Sequence, residues 1–235
     1  SSEDSKNFHA IETEIRALKK EGEEKQEVFS HLQRKRADAE KTVTDKRASL
    51  QDFLHQKERC RIQLENLQNL AERYEGFGQA VRKCMQEKER EKGLIGVVAD
   101  VLKTKPEYEL ALETTLAGSL QNLVSEDEGT AKRLLEKLKR EKLGRATFLP
   151  LSSIRKERDG RYDSVRGEKG LIGVFADFVE VPKSCAGLEN YLLSKVLLVD
   201  NLDNALSIAR KYKHSLRIVT LDGELLQAGG ALSGG

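Results

Sequence analysis

The sequence predicts a mixed α/β domain of the α+β kind, duplicated into two subdomains and preceded by a long coiled-coil helix. Three observations predict it. The first third of the 235 residues spaces its apolar residues alternately four and three apart, with no proline. An eight-residue string recurs after a separation of 77 residues. The last seven residues, Gly229-Gly230-Ala231-Leu232-Ser233-Gly234-Gly235, set two glycine pairs five apart, behind the strand-like run 216–221.

The arm comes first. Its seam runs through Ile11, Ile15, Leu18, Gly22, Lys25, Phe29, Leu32, Arg36, Ala39, Val43, Lys46, Leu50, Phe53, Lys57, Cys60, Leu64, Leu67, Ala71 and Tyr74, and fourteen of these nineteen are apolar. An unslipped 4-3 phase of this length is a coiled coil rather than a globular helix, and spans roughly 95 Å at 1.5 Å per residue. Lys25, Arg36, Lys46, Lys57 and Gly22 weaken the seam. Such a helix needs a specific or tethered partner, which this chain does not carry. Glu75-Gly76-Phe77-Gly78 ends the phase. Val81, Cys84 and Met85 then fall at helical spacing. The expected organisation is an arm over 1–75, a junction over 76–92, a first subdomain over 93–150, a basic linker loop over 151–169 and a second subdomain over 170–235.

Each subdomain alternates helix and strand. Gly93-Leu-Ile-Gly-Val-Val-Ala-Asp100 recurs as Gly170-Leu-Ile-Gly-Val-Phe-Ala-Asp177, with seven of eight residues identical. Two copies make a duplication, not a solenoid. In the first, residues 96–101 read as a strand, and Pro106 suits the first turn of a helix running to about Leu116. Residues 120–124 read as a strand. Ser125 and Asp127 are capping residues for a helix ending near Lys142, with Gly144 as its stop. Residues 146–149 form the next strand. The second copy repeats the order, with Asp200 or Asn201 as cap and a helix to about Lys213. Residues 150–169 are polar and carry Asp159-Gly160 and Arg166-Gly167, so they read as a loop.

Composition excludes several functions. No run of 18 apolar residues offers a membrane span, and no signal peptide opens the chain. Cys60, Cys84 and Cys185 are scattered and form no CxxC, which disfavours a disulfide framework, a zinc site or a zinc hook and fits a reducing cytosol. His9, His31, His55 and His214 do not converge in sequence. No Walker loop occurs, and the G-x-x-G pairs precede strands instead of opening helices. Asp100 and Asp177 lack a base or metal partner, so strand-end turn chemistry is their reading. No cofactor is called for.

Charge is uneven. Residues 132–169 hold thirteen Lys/Arg against six Asp/Glu, while residues 93–131 hold two against seven. Clustered cations displace counterions from a nucleic-acid backbone, and a solvated face fits them equally well. Only Phe148 and Tyr162 lie nearby, so base stacking is not indicated. The glycine pairs also keep two readings. Strand-edge glycines let another backbone approach, whereas Gly and Ser are also linker residues.

Gly144-Arg-Ala-Thr-Phe-Leu-Pro-Leu151, Arg217-Ile-Val-Thr-Leu-Asp-Gly223 and the terminal glycine pairs, behind a heptad rod, closely resemble the hinge of structural maintenance of chromosomes (SMC) proteins, the bacterial condensin type most of all. The resemblance covers residues 75–235, and the rod looks like the incoming arm. It implies a two-fold dimer with Gly229, Gly230, Gly234 and Gly235 at its contacts. It implies a joint between arms that carry ATPase heads elsewhere, in a protein of chromosome condensation and segregation on the cytoplasmic nucleoid. The joint itself is not the enzyme. It implies DNA contact by bases near the junction. The local candidates, Lys137, Lys139, Arg140, Lys142 and Arg145, match no motif. The bacterial-like motifs favour a homodimer. A return arm, expected to pack antiparallel on the first, is absent. The alternative is a DNA-binding module on a coiled-coil spacer with no role in dimerisation, and an enzyme site between the copies is a third reading.

Overall fold

The computed structural model describes residues 2–235, so Ser1 of the expected arm lies outside them. The chain divides into two units, Ser1–Asn66 and Leu67–Gly235.

The first unit is helix throughout its described residues. It belongs to α1, Ser2–Arg73, which starts nine residues before the first seam position. Nothing in α1 is buried, and its stripe stands in solvent, with Ile11, Leu32 and Phe53 all more than half exposed. Ion pairs one turn apart support it, among them Lys25–Glu21 at 2.8 Å, Arg36–Glu40 at 2.8 Å and Arg61–Glu65 at 2.7 Å. Exposed pairs of this kind contribute about 0.2–0.5 kcal/mol each. The helix therefore rests on local propensity and charge, and its apolar stripe stays exposed among the described residues.

The second unit holds the duplicated domain. In the first copy, β1 (Leu94–Val97) pairs antiparallel with β3 (Leu123–Ser125), which pairs parallel with β4 (Phe148–Pro150). In the second, β5 (Leu171–Val174), β7 (Leu197–Val199) and β8 (Ile218–Thr220) repeat this arrangement. The registers shift at the same place, at Gly96 in one copy and Gly173 in the other. The second sheet then gains β9 (Leu225–Leu226) and β10 (Leu232–Ser233), giving the order β10-β9-β8-β7-β5. Short strands β2 (Lys103–Thr104) and β6 (Val179–Glu180), one from each copy, form a ladder that ties the copies together.

The helices follow the caps. Asp127 accepts the Thr130 amide at the start of α5 (Glu128–Glu141), and Asn201 accepts the Asn204 amide at the start of α8 (Leu202–Lys211). Before α5 stands α4 (Glu109–Leu116), after a 3-10 turn begun by Pro106, and before α8 stands α7 (Leu188–Leu193). Gly170 sits at φ +80°, and a Cβ there would fall on Asp200 and Asn204. That close approach is why the repeated string opens on glycine. One core cluster spans both copies, centred on Phe175, Leu188, Leu197, Leu198 and Ile218. A second packs α2 (Gln79–Gln86), through Val81, Cys84 and Met85, against Leu94, Leu123, Leu134 and Leu138.

Three expectations are corrected. The strand expected over 96–101 is shifted to Leu94–Val97 and followed by the one-turn helix α3 (Val98–Val101). The chain breaks register at Gly96, and Val98 and Val101, three apart, are then buried together on one side of a turn. The strand expected to begin at Leu120 begins at Leu123, because a 3-10 segment, Ala117–Gln121, leaves α4 with Ala117 at φ 40°. The expected loop at 150–169 contains the helix α6 (Gly160–Asp163), whose Tyr162 is buried with Val165, again three residues apart. This segment precedes the second copy as α2 precedes the first.

Candidate joining edge and basic face

The glycine motif forms a hairpin on the rim of the larger sheet. The Gln227 amide donates to the Ala231 carbonyl at 2.8 Å and the Gly230 amide to the Gln227 carbonyl at 3.0 Å. The Gly229 amide donates to the His214 carbonyl at 2.8 Å, fixing the turn to the end of α8. Gly229 and Gly230 sit at φ 97° and 99°, where an L-residue is strained, and face open space. Gly234 is different: its φ is ordinary, and a Cβ there would lie 3.1 Å from Glu224 Cγ. Gly235 is again open, at φ 115°. The hairpin thus carries all four predicted glycines to one exposed edge. Leu232 stands 53% exposed between the pairs, on a strand bonded only to β9.

The two sheets differ at their equivalent edges. The outer side of β8 is covered by β9, whereas β4, its counterpart, is the last strand of the smaller sheet. A cleft of about 550 Å³ lies along that region, lined by Thr147 and Leu149, by Leu225 and Gln227, and by Arg217. The Arg217 Nη2 donates to the Thr115 carbonyl at 2.9 Å, linking the second copy to the first, and burial pushes its guanidinium below the usual arginine range.

The basic candidates separate. Lys137 is held against Glu87, the residue that caps the end of α2, at 3.0 Å, and the Lys137 hydrogen bond keeps the Glu87 carboxyl below its ordinary value. Lys139, Arg140, Lys142 and Arg145 are exposed and form no ion pair among the described residues. Lys142 closes α5 in the left-handed region at φ 54°, its amide reaching the Leu138 and Lys139 carbonyls. The helix end therefore presents a row of free cations, with Lys137 tethered behind it.

Asp100 and Asp177 do not form an acid pair. Each binds an arginine from the segment before its own copy. Asp100 accepts Arg73 Nη2 at 2.9 Å and the Tyr74 hydroxyl. Asp177 accepts Arg158 Nη1 at 2.7 Å, and the same guanidinium reaches Asp163 and Asn190. These acids anchor chain entry into each copy. Their repeat equivalence was visible in sequence; their arginine partners, 27 and 19 residues away, were not. Among the described residues no group of three His, Cys, Asp or Glu is placed to hold a metal, and no helix is long and apolar enough to cross a membrane.

A family model for the SMC proteins' flexible hinge domain matches residues 91–209. The chromosome partition protein Smc of Lactiplantibacillus plantarum is 36% identical over 189 residues, covering 77% of this chain and 15% of its own length. That of Bacillus subtilis is 30% identical over 230 residues, covering 96% of this chain and 19% of its own length. The chain thus spans under a fifth of these relatives. A crystal structure of the Geobacillus stearothermophilus SMC hinge domain superposes with a TM-score of 0.64 at 30% identity, over 79% of this chain and 78% of that one. The chain belongs to the SMC hinge domain family.

Proposed function

We propose that this chain is a non-enzymatic joint, which pairs with a second copy of itself through the glycine edge and touches DNA without reading sequence. One observation carries the pairing: β10 ends one sheet with its outer side unpaired, and β4 ends the other without the cover its repeat counterpart has. In a two-fold dimer the β10 of each copy meets the β4 of the other, and these two pairs of edges are satisfied at once. Gly229, Gly230, Gly234 and Gly235 flank β10 and keep side chains out of the approach. The Geobacillus stearothermophilus hinge, a relative in fold and sequence, was crystallised as an asymmetric dimer. The exposed stripe of α1 would take an antiparallel return arm. Lys139, Arg140, Lys142 and Arg145 would contact phosphates, and Lys137 orders the helix that presents them. In the parent protein the joint would connect two arms for chromosome partition.

Sedimentation equilibrium tests the pairing on the whole chain. The expected result is a dimer that becomes a folded monomer in Leu232→Lys plus Gly234→Glu. Gly234 is chosen because its φ is ordinary; its Cβ would press on Glu224 Cγ at 3.1 Å, so a circular dichroism melt confirms that the variant is folded before loss of the dimer is assigned to the edge. A dimer that survives both changes would place the contact elsewhere, α1 included.

A further inference from the structure

The duplication has a second basic helix end. At the close of α8, Arg210 and Lys211 occupy the last turn, and Lys213 follows at φ 56°, as Lys142 follows α5 at φ 54°. The fold brings the tail of the linker to the same place. Glu168 binds Lys211 and accepts the Tyr212 hydroxyl at 3.1 Å, which sets Arg166 and Lys169 beside the helix end. Five exposed cations, Arg166, Lys169, Arg210, Lys211 and Lys213, thus lie on the two segments that the Lys211–Glu168 pair joins. The helix dipole accounts for Arg210 and Lys211, which lie in its last turn. It does not account for Lys213, Lys169 or Arg166, which lie outside the helix. Arg210 and Lys213 have no ion pair among the described residues, and Arg166 reaches only the Asp163 carbonyl, at 3.3 Å. The basic stretch of the sequence is therefore divided: its tail belongs to the second copy, with cations from 40 residues downstream.

We propose that this face, the end of α8 with residues 166–169, is a second contact surface for the phosphate backbone of duplex nucleic acid. It adjoins the joining edge, because the His214 carbonyl at its border holds the Gly229 amide. The choice of partner rests on charge complementarity. The face offers several exposed cations and no exposed aromatic platform, which suits a line of phosphates rather than bases or an apolar protein helix. The inference rests on the DNA-contact reading above and adds a place to it.

The test measures binding of the whole chain to a 30-base-pair duplex of arbitrary sequence across a salt series. One variant is Lys169→Gln, Arg210→Gln, Lys213→Gln. A second is Lys139→Gln, Arg140→Gln, Lys142→Gln, Arg145→Gln. Each phosphate contact contributes about 0.9 to the slope of log affinity on log salt, so the first variant should lose about 2 to 3 from the slope and roughly tenfold in affinity at moderate salt. Circular dichroism melts confirm that both variants fold. An unchanged slope in the first variant, with loss in the second, overturns this face and leaves the α5 contact standing. Absence of duplex binding by the unmodified chain overturns both. Capture of polyglutamate in preference to the duplex would assign the face to an acidic protein and overturn the nucleic-acid proposal.

Discussion

The Tyr74 hydroxyl donates to Asp100, whose other carboxylate oxygen takes Arg73 at 2.9 Å. Tyr74 is 3% exposed, so the phenol has exchanged water for this acceptor. One aspartate thereby joins the last turn of α1 to the turn behind β1.

Removing that acceptor strands a buried donor. Asp100→Ala should destabilise the chain by about 1–3 kcal/mol, and Tyr74→Phe by about 0.5–1.5 kcal/mol, because the second change removes the donor too. Urea unfolding monitored on the strands measures both. Equal effects would show that the hydroxyl is not desolvated.

The same pair sets an alkaline limit. Burial first, and then the Asp100 hydrogen bond, push the Tyr74 phenol from 10.0 to about 12. A raised folded value means that its contribution is complete below pH 10 and is lost as pH rises toward 12. Stability should fall across that window, and the Tyr74→Phe chain should lose less there. Tyrosinate absorbance, recorded beside the unfolding curves, checks the assignment.

The acid side depends on the linker. The Arg158 hydrogen bond holds the Asp163 carboxyl below its usual 3.8. A depressed folded value gives stability that is present above that pH and lost as pH falls further. Asp163→Asn should flatten the acid limb of the stability profile and make the linker a site of earlier proteolytic cleavage.

Lys137 and its neighbours should respond differently. Lys137→Met breaks the tie to Glu87 at 3.0 Å and should lower stability by about 0.2–1 kcal/mol with little change in duplex affinity. The glutamine variant at Lys139, Arg140, Lys142 and Arg145 should keep stability and lose about 3 to 4 from the salt slope. A reversed outcome would make Lys137 the phosphate contact.

Two glycines separate backbone need from helix propensity. Gly170→Ala meets both φ +80° and the Asp200 and Asn204 side chains, and should cost more than about 3 kcal/mol. Gly22→Ala lies in an open helix and should stabilise it by about 0.8–1 kcal/mol. Thermal melts of the two variants should move in opposite directions.

The arm and the duplication were legible because both are periodicities. So were the caps at Asp127 and Asn201, whose side chains act three residues away. What stayed hidden depends on contacts distant in sequence or on apolar runs that carry no period. The string between Gly93 and Asp100 is an apolar run without a period, so α3 could not be told from a strand. Lys137 looked like its neighbours until α2 brought Glu87 against it, 50 residues earlier in the chain. The glycines read from sequence as a strand edge or a linker, and the proposed match to β4 rests on β8 being covered and β4 bare.

In the proposed dimer, β10 of one copy lies along β4 of another. Disulfide trapping across two differently labelled chains tests it, with Cys60 changed to Ser to remove the exposed thiol. One chain carries Ser233→Cys on β10, and the other Thr147→Cys beside β4. A cross-link is expected in the mixture and none in either chain alone. A mixture that dimerises without cross-linking, or a Ser233→Cys chain that cross-links to itself, would contradict it.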